Sequence, residues 1–220
     1  MKPKRAPKGK AGMHPPLLHL KKADPILYQA ALPHQATVSA RVKIKRTRKD
    51  LFAALASSVI GQQLATKAAE SIRGRVRELC GGTITPEAIA RLTDTKLRKA
   101  GLSGAKTKTL KELSIAIRSG ELDLLALKRI PEEEAIVALS RIWGIGRWTS
   151  EMFLMFALGR EDIFSSGDLG LIRAMERLYD LPRETKKEAF ERIALAWSPH
   201  RSYACLVLWE VRDAPTARNR

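Results

Sequence analysis

Apolar positions recur every three to four residues along most of this chain, the spacing that lays one face of an α-helix against a core. Leu51, Leu55, Val59 and Ile60 share one such face, and Gly61-Gln62-Gln63 interrupts it. Leu64, Ala68, Ile72, Val76 and Leu79 resume the period, which Gly81-Gly82 closes. Thr85-Pro86 reads as a cap followed by proline at the first helical position, opening a short helix through Leu92. Thr93 starts another that Gly101 stops. Ser103 to Arg118 repeats the plan, with Leu110, Leu113 and Ile117 on one face and Gly120 behind them. Pro131 leads into a hairpin spanning about residues 132–157, where Gly144-Ile145-Gly146 joins two helices. Beyond it, Leu169, Ile172, Met175 and Leu178 form a further face ended near Pro182, and Thr185–Trp197 and Pro199–Val211 make the last two helices. Upstream, Asp24 begins a helix through Leu32 that Pro33 ends. Arg41 to Lys49 alternates like a short strand, yet reads better as a basic linker into the next helix. About ten short helices, with no other strand and no repeat, predict an all-α fold.

Charge changes the picture more than size does. The 220 residues suffice for a real core, but the formal charge is +17 and the isoelectric point near 10.3. Such an excess favours polyanions, nucleic acid first and an acidic membrane surface second. No apolar run has the length of a membrane span, and no apolar stretch follows the basic N-terminus as a secretory signal would. Residues 1–12 hold five basic and no acidic residues among Pro and Gly. Residues 1–23 therefore read as a basic flexible tail, 24–213 as the helical domain and 214–220 as a C-terminal tail. Cys80 and Cys205 lie far apart and fit a reduced, intracellular chain. Two thiols cannot hold an iron–sulfur cluster, and four scattered histidines lack the spacing of a catalytic zinc site. No cofactor is expected.

Candidate chemistry gathers around the hairpin. The second helix begins at Gly146, so its free N–H groups and positive dipole end form a ready phosphate site. Trp148 and Trp209 supply π faces in a chain with only 5% aromatic residues, so each stands out. A Ser/Gly loop, Ser165-Ser166-Gly167, then delivers one carboxylate, Asp168. Asp168 precedes an apolar-periodic helix and reads equally as its N-cap; the two roles are compatible. By the same standard, Trp148, Trp209 and Met152 read as core, Gln62-Gln63 as a corner between helices, and Arg147 and Arg201 as surface charge.

The string Gly144-Ile145-Gly146-Arg147-Trp148-Thr149, with Asp168 placed 19 residues after Thr149, resembles the helix-hairpin-helix base-excision DNA glycosylase superfamily. Within it, the chain is most similar to the 3-methyladenine DNA glycosylase II, or alkylation-repair, group. Ile60-Gly61-Gln62-Gln63-Leu64 upstream and Arg201-Ser202-Tyr203-Ala204 leading to Trp209 downstream carry the same resemblance, which covers residues 24 to 213. The N-terminal sheet domain of longer members has no room here.

The resemblance implies two helical lobes with the active site between them. It implies Asp168 as the catalytic carboxylate and Trp148, Trp209 and Met152 around the base. Gln62, Gln63 and Leu64 would enter the duplex where a nucleotide has left, and Gly144, Gly146, Arg147 and Thr149 would hold its backbone. A monovalent cation is implied at the carbonyls of Ser140, Ile142 and Gly144, with no catalytic metal. Strand-cutting members carry a lysine where this chain has Trp148, so base release without strand cleavage is expected. The expected partner is double-stranded DNA with damaged bases, met by a cytoplasmic, DNA-associated monomer that touches no membrane. Two other readings stay open: a non-catalytic DNA-binding module, and a glycosylase for another lesion such as hypoxanthine or an etheno adduct.

Overall fold

The computed structural model of the chain describes residues 14–42 and 48–213, and every regular element among them is helical. In order these are α1 (Pro15–Ala23), α2 (Pro25–Ala31), α3 (Gln35–Val42), α4 (Arg48–Gly61), α5 (Thr66–Leu79), α6 (Pro86–Arg91), α7 (Asp94–Lys99), α8 (Gly104–Ser119), α9 (Glu132–Ser140), α10 (Arg147–Phe156), α11 (Leu169–Leu178), α12 (Lys187–Leu195) and α13 (Arg201–Asp213). Single 3₁₀ turns occupy Leu32–His34 and Ala126–Lys128.

Local chemistry sets most of these boundaries. Thr85, Thr93 and Ser103 each accept a hydrogen bond from the backbone N–H three residues on, at 3.2, 3.3 and 3.2 Å, which satisfies a donor the helix leaves free. Proline stands in the first turn of α1, α2 and α6, where no N–H is required. Gly120 ends α8 with φ +81°.

Several expectations need correction. The proposed N-terminal tail reaches too far, because Pro15–Ala23 is a helix whose Leu17 and Leu20 are fully buried. Lys21, Lys22 and the basic run before them masked that apolar pair. Residues 1–13, 43–47 and 214–220 lie outside the described residues; so does the middle of the basic run, whose ends belong to α3 and α4. Leu64 does not open α5: its N–H closes a turn on Gly61 O at 3.2 Å, and the helix starts at Thr66. Chain is also helical past Pro33, which sits in the first turn of its 3₁₀ segment and leads into α3.

The helices pack as two groups around one continuous apolar cluster. α4 to α8 form one lobe, with α8 against α4, α6 and α7. The first helices turn back to the end of the chain, since α13 packs on α2, α3 and α11. The α9–α10 hairpin stands between the lobes, with α10 against α4. Asp168 at the start of α11 and the Gly61–Ala65 connection therefore approach α10 from opposite lobes. Among the described residues, no helix is long and apolar enough to cross a membrane.

Candidate active site

Asp168 caps α11: its Oδ1 accepts Leu171 N–H at 2.9 Å. The same carboxylate receives two indole N–H groups, Trp148 Nε1 on Oδ2 at 2.8 Å and Trp209 Nε1 on Oδ1 at 3.3 Å. Charge-assisted bonds of this kind fix both the direction of the carboxylate and the two rings around it. Trp148 comes from α10 and is 48% exposed, so the group opens to solvent on that side. Trp209 comes from α13 and stacks on Phe156 of α10, with centroids 5.7 Å apart. Gly170 leaves room beside the carboxylate. A Cβ there would lie 3.0 Å from Asp168 Oδ1 and 2.5 Å from Arg212 Nη1.

Next to Trp148 lies a cleft of about 420 Å³, lined by Ser58, Gly61, Met152, Thr149 and the Gln62–Leu64 loop. Gln63 and Leu64 are exposed on its rim, and Gln63 holds a left-handed φ of +55°. Gln62 turns the other way. Its Nε2 donates to Gly144 O at 3.1 Å and to Thr149 Oγ1 at 3.2 Å, so its amide joins this loop to the hairpin. Lys106 of α8 holds the loop from behind, donating to the carbonyls of Ile60 at 2.8 Å and Gln62 at 2.7 Å. Burial draws the Lys106 ammonium below the ordinary lysine range.

The hairpin turn is also held from α8. Gly144 has φ +82°, and a Cβ on it would lie 2.2 Å from Thr109 Oγ1, so both conformation and space require glycine. Glu112 accepts Trp143 N–H at 3.3 Å, and Lys108 stands 4.6 Å over the Trp143 ring. Gly146 caps α10, and a Cβ there meets open space, which leaves the helix start approachable. Two of the three carbonyls expected to hold a monovalent cation also accept hydrogen bonds within the protein, which leaves each a second lone pair. Gly144 O accepts Gln62 Nε2 at 3.1 Å, and Ile142 O accepts Ile145 N–H at 3.0 Å. No step below depends on such an ion. Among the described residues, no cluster of three or more His, Cys, Asp or Glu side chains could hold a metal.

Arg147 stands at the expected anion site but is already engaged. Its Nη1 donates to Glu133 Oε2 at 2.9 Å, Nη2 pairs with the other Glu133 oxygen, and Nε donates to Glu151 Oε1 at 2.9 Å. Glu151 is only 2% exposed. Burial pushes its carboxyl up, against the opposing pull of Ser165 and Arg147. Arg201 plays a comparable part on the far side, binding Asp162 Oδ1 at 2.8 Å and Glu132 Oε2 at 3.2 Å. Cys205 is fully buried, with its thiol pushed up to about 12 by burial, and is inert as a nucleophile.

The structure thus brings together Asp168, Trp148 and Trp209, with Met152, Gln63 and Leu64 around the adjoining cleft. It turns Gln62, Thr149 and Arg147 toward protein partners. The contacts of Phe156, Gly170, Glu151 and Ser165 escaped the sequence reading. The four-residue step from Met152 to Phe156 marks a shared helix face and could have found the first. The other three depend on partners far away in the chain.

The family model described as HhH-GPD superfamily base excision DNA repair protein matches residues 56–199. DNA-3-methyladenine glycosylase 1 of Schizosaccharomyces pombe is 33% identical over 166 residues, 74% of this chain and 73% of its own length. The solved DNA-3-methyladenine glycosidase of Bacillus halodurans superposes with a TM-score of 0.79 at 35% identity, covering 91% of this chain and 90% of that one. A 3-methyladenine DNA glycosylase of Schizosaccharomyces pombe in complex with abasic DNA superposes with a TM-score of 0.74 at 29% identity, covering 90% of this chain and 96% of that one.

Proposed function

The chain belongs to the HhH-GPD superfamily of base excision DNA repair proteins, and on that premise we propose that it is a monofunctional DNA glycosylase. It hydrolyses the N-glycosidic bond of alkylated purines, 3-methyladenine and 7-methylguanine, in double-stranded DNA, and it acts as a monomer. The observation that carries this reading is the Asp168 carboxylate held between two indole N–H groups, one of them from Trp148, whose ring also lines an open cleft. A hairpin that only clamps DNA has no use for that arrangement.

Each step follows from the residues present. The charge of +17 draws the chain to DNA, and the start of α10 meets a backbone phosphate. Extruding a base costs a few kcal/mol, less when damage has weakened its stacking. Leu64 and Gln63, exposed at the rim, occupy the hole it leaves. A purine methylated at N3 or N7 is cationic, and each tryptophan or phenylalanine face attracts it by roughly 0.5–2 kcal/mol. Trp148 and Trp209 supply such faces, with Phe156 stacked behind Trp209. The cationic base leaves readily, so little general-acid help is required. As the bond breaks, positive charge grows on the sugar, and Asp168 stabilises it and receives the proton of the attacking water. Trp148 stands at the lysine position of strand-cutting relatives and offers no amine for a Schiff base.

Chromatography of bases released from methylated DNA tests this reading. Release of 3-methyladenine and 7-methylguanine is expected, with the DNA strand left intact and no adduct trapped by borohydride. Tight DNA binding without any released base would favour the clamp. Release confined to hypoxanthine or an etheno adduct in a parallel panel would keep the chemistry and change the pocket.

A further inference from the structure

One buried carboxylate in the hairpin has no part in the steps above, and its contacts lead to Asp168. Glu151 lies one turn after Arg147 on α10 and is 2% exposed. Its Oε1 accepts Arg147 Nε at 2.9 Å, and its Oε2 accepts Ser165 Oγ at 2.5 Å. Ser165 is fully buried in the loop that ends at Asp168. The Ser165 carbonyl in turn accepts Asp168 N–H at 3.0 Å, closing the turn that presents the carboxylate. One residue is therefore gripped by its hydroxyl from the hairpin helix and grips Asp168 by its backbone.

The same helix carries Trp148, whose indole N–H meets Asp168 Oδ2. α10 thus reaches the carboxylate by two routes, directly from Trp148 and through Glu151 and Ser165. We infer that Glu151 is a positioning residue for Asp168, acting through Ser165, with Arg147 as its counter-charge in a buried place. A buried carboxylate without a partner would be costly, and Arg147, itself forked onto Glu133, provides one. Arg147 at the start of α10 then serves catalysis through this chain of contacts rather than as a free phosphate ligand. The inference rests on the proposed role of Asp168.

The test uses the full-length protein with Ser165→Ala, which removes only the hydroxyl, and Glu151→Gln, which keeps the size and removes the charge. Single-turnover base release from lesion DNA should fall by about tenfold to a hundredfold in each, the penalty of a slightly misplaced group. Affinity for the same DNA should stay within about twofold of the parent's, well inside the tenfold that corresponds to ~1.4 kcal/mol. In an Asp168→Asn background, neither change should slow release further, because no carboxylate remains to be placed. A readout independent of activity is the indole N–H resonances. Those of Trp148 and Trp209 should shift in Ser165→Ala, while that of Trp197, bound to Asp24, stays in place. The inference is overturned if both resonances stay unmoved, or if the loss of rate persists undiminished in the Asp168→Asn background. It is overturned equally if that loss follows a loss of DNA affinity. Absence of base release from the parent protein would instead sink the glycosylase reading, and the resonance test would still stand.

Discussion

Two aspartates in this chain make nearly the same hydrogen bonds in different surroundings. Asp24 caps α2, with Oδ1 accepting Leu27 N–H at 2.9 Å, and its Oδ2 receives Trp197 Nε1 at 2.7 Å and Tyr179 Oη at 2.6 Å. Asp168 caps α11 through Leu171 N–H, also at 2.9 Å, and receives the indoles of Trp148 and Trp209. Each carboxylate thus takes one backbone donor and two aromatic ones. Access separates them. Asp24 is 8% exposed and its Trp197 fully buried, whereas Trp148 is half exposed beside a cleft. The first cluster fastens α1 and α2 to the ends of α11 and α12; the second is open to solvent on the Trp148 side. Hydrogen-bond inventory therefore does not tell these two aspartates apart, and the open side of the second does.

The comparison predicts opposite losses when each site is damaged. Asp24→Ala removes a cap and strands the buried Trp197 Nε1 and the half-buried Tyr179 Oη, at a cost of about 3–5 kcal/mol of stability. Thermal melting should show a fall of more than about 8 °C. Base release per folded molecule, read at a temperature where the variant is still native, should match the parent's. A selective loss of base release at unchanged stability would erase the distinction.

The same substitution made at both sites sharpens it. Trp197→Phe deprives the buried Asp24 of a donor and should cost about 2–3 kcal/mol, near 5–10 °C of melting temperature. Trp148→Phe deprives Asp168 of its shorter indole bond where solvent can replace it. Melting should hardly move, while single-turnover release falls about tenfold, about 1.4 kcal/mol of barrier. Equal melting losses would mean that the two clusters are both structural.

Much of the fold was legible in the sequence because its signals are local. Thr85, Thr93, Ser103 and Asp168 each announce a helix start by side-chain chemistry within three residues. Gly144 and Gly146 mark the hairpin for the same reason. The helix at Pro15–Ala23 was hidden by the charged composition around two buried leucines. At the site, residue types were legible and directions were not. Gln62 bonds a carbonyl 82 residues away, and Ser165 meets Glu151 across the hairpin. Arg147 turns to carboxylates instead of solvent, a choice made by Glu133 from the neighbouring helix. No period or cap encodes such partners.

A smaller effect probes the space around the Asp168 carboxylate. Gly170→Ala places a methyl 3.0 Å from Asp168 Oδ1 and 2.5 Å from Arg212 Nη1. The arginine side chain can give way, so stability should change by about 1 kcal/mol or less, alanine being the better helix former. Base release should fall several-fold, about 1 kcal/mol of barrier, as the carboxylate is crowded. An unchanged rate in single-turnover assays would mean that this contact does not constrain Asp168.

The most direct measurement pairs a thermal melt with single-turnover base release for Asp168→Asn. Asparagine caps helices about as well as aspartate, so the melting temperature should stay within about 2 °C of the parent's. The neutral amide cannot stabilise a growing positive charge on the sugar or take a proton from water. Release of 3-methyladenine should therefore fall at least about a hundredfold, about 3 kcal/mol of barrier, with lesion DNA still bound. A variant that melts normally and releases base at close to the parent rate would make Asp168 a second Asp24, a cap and nothing more.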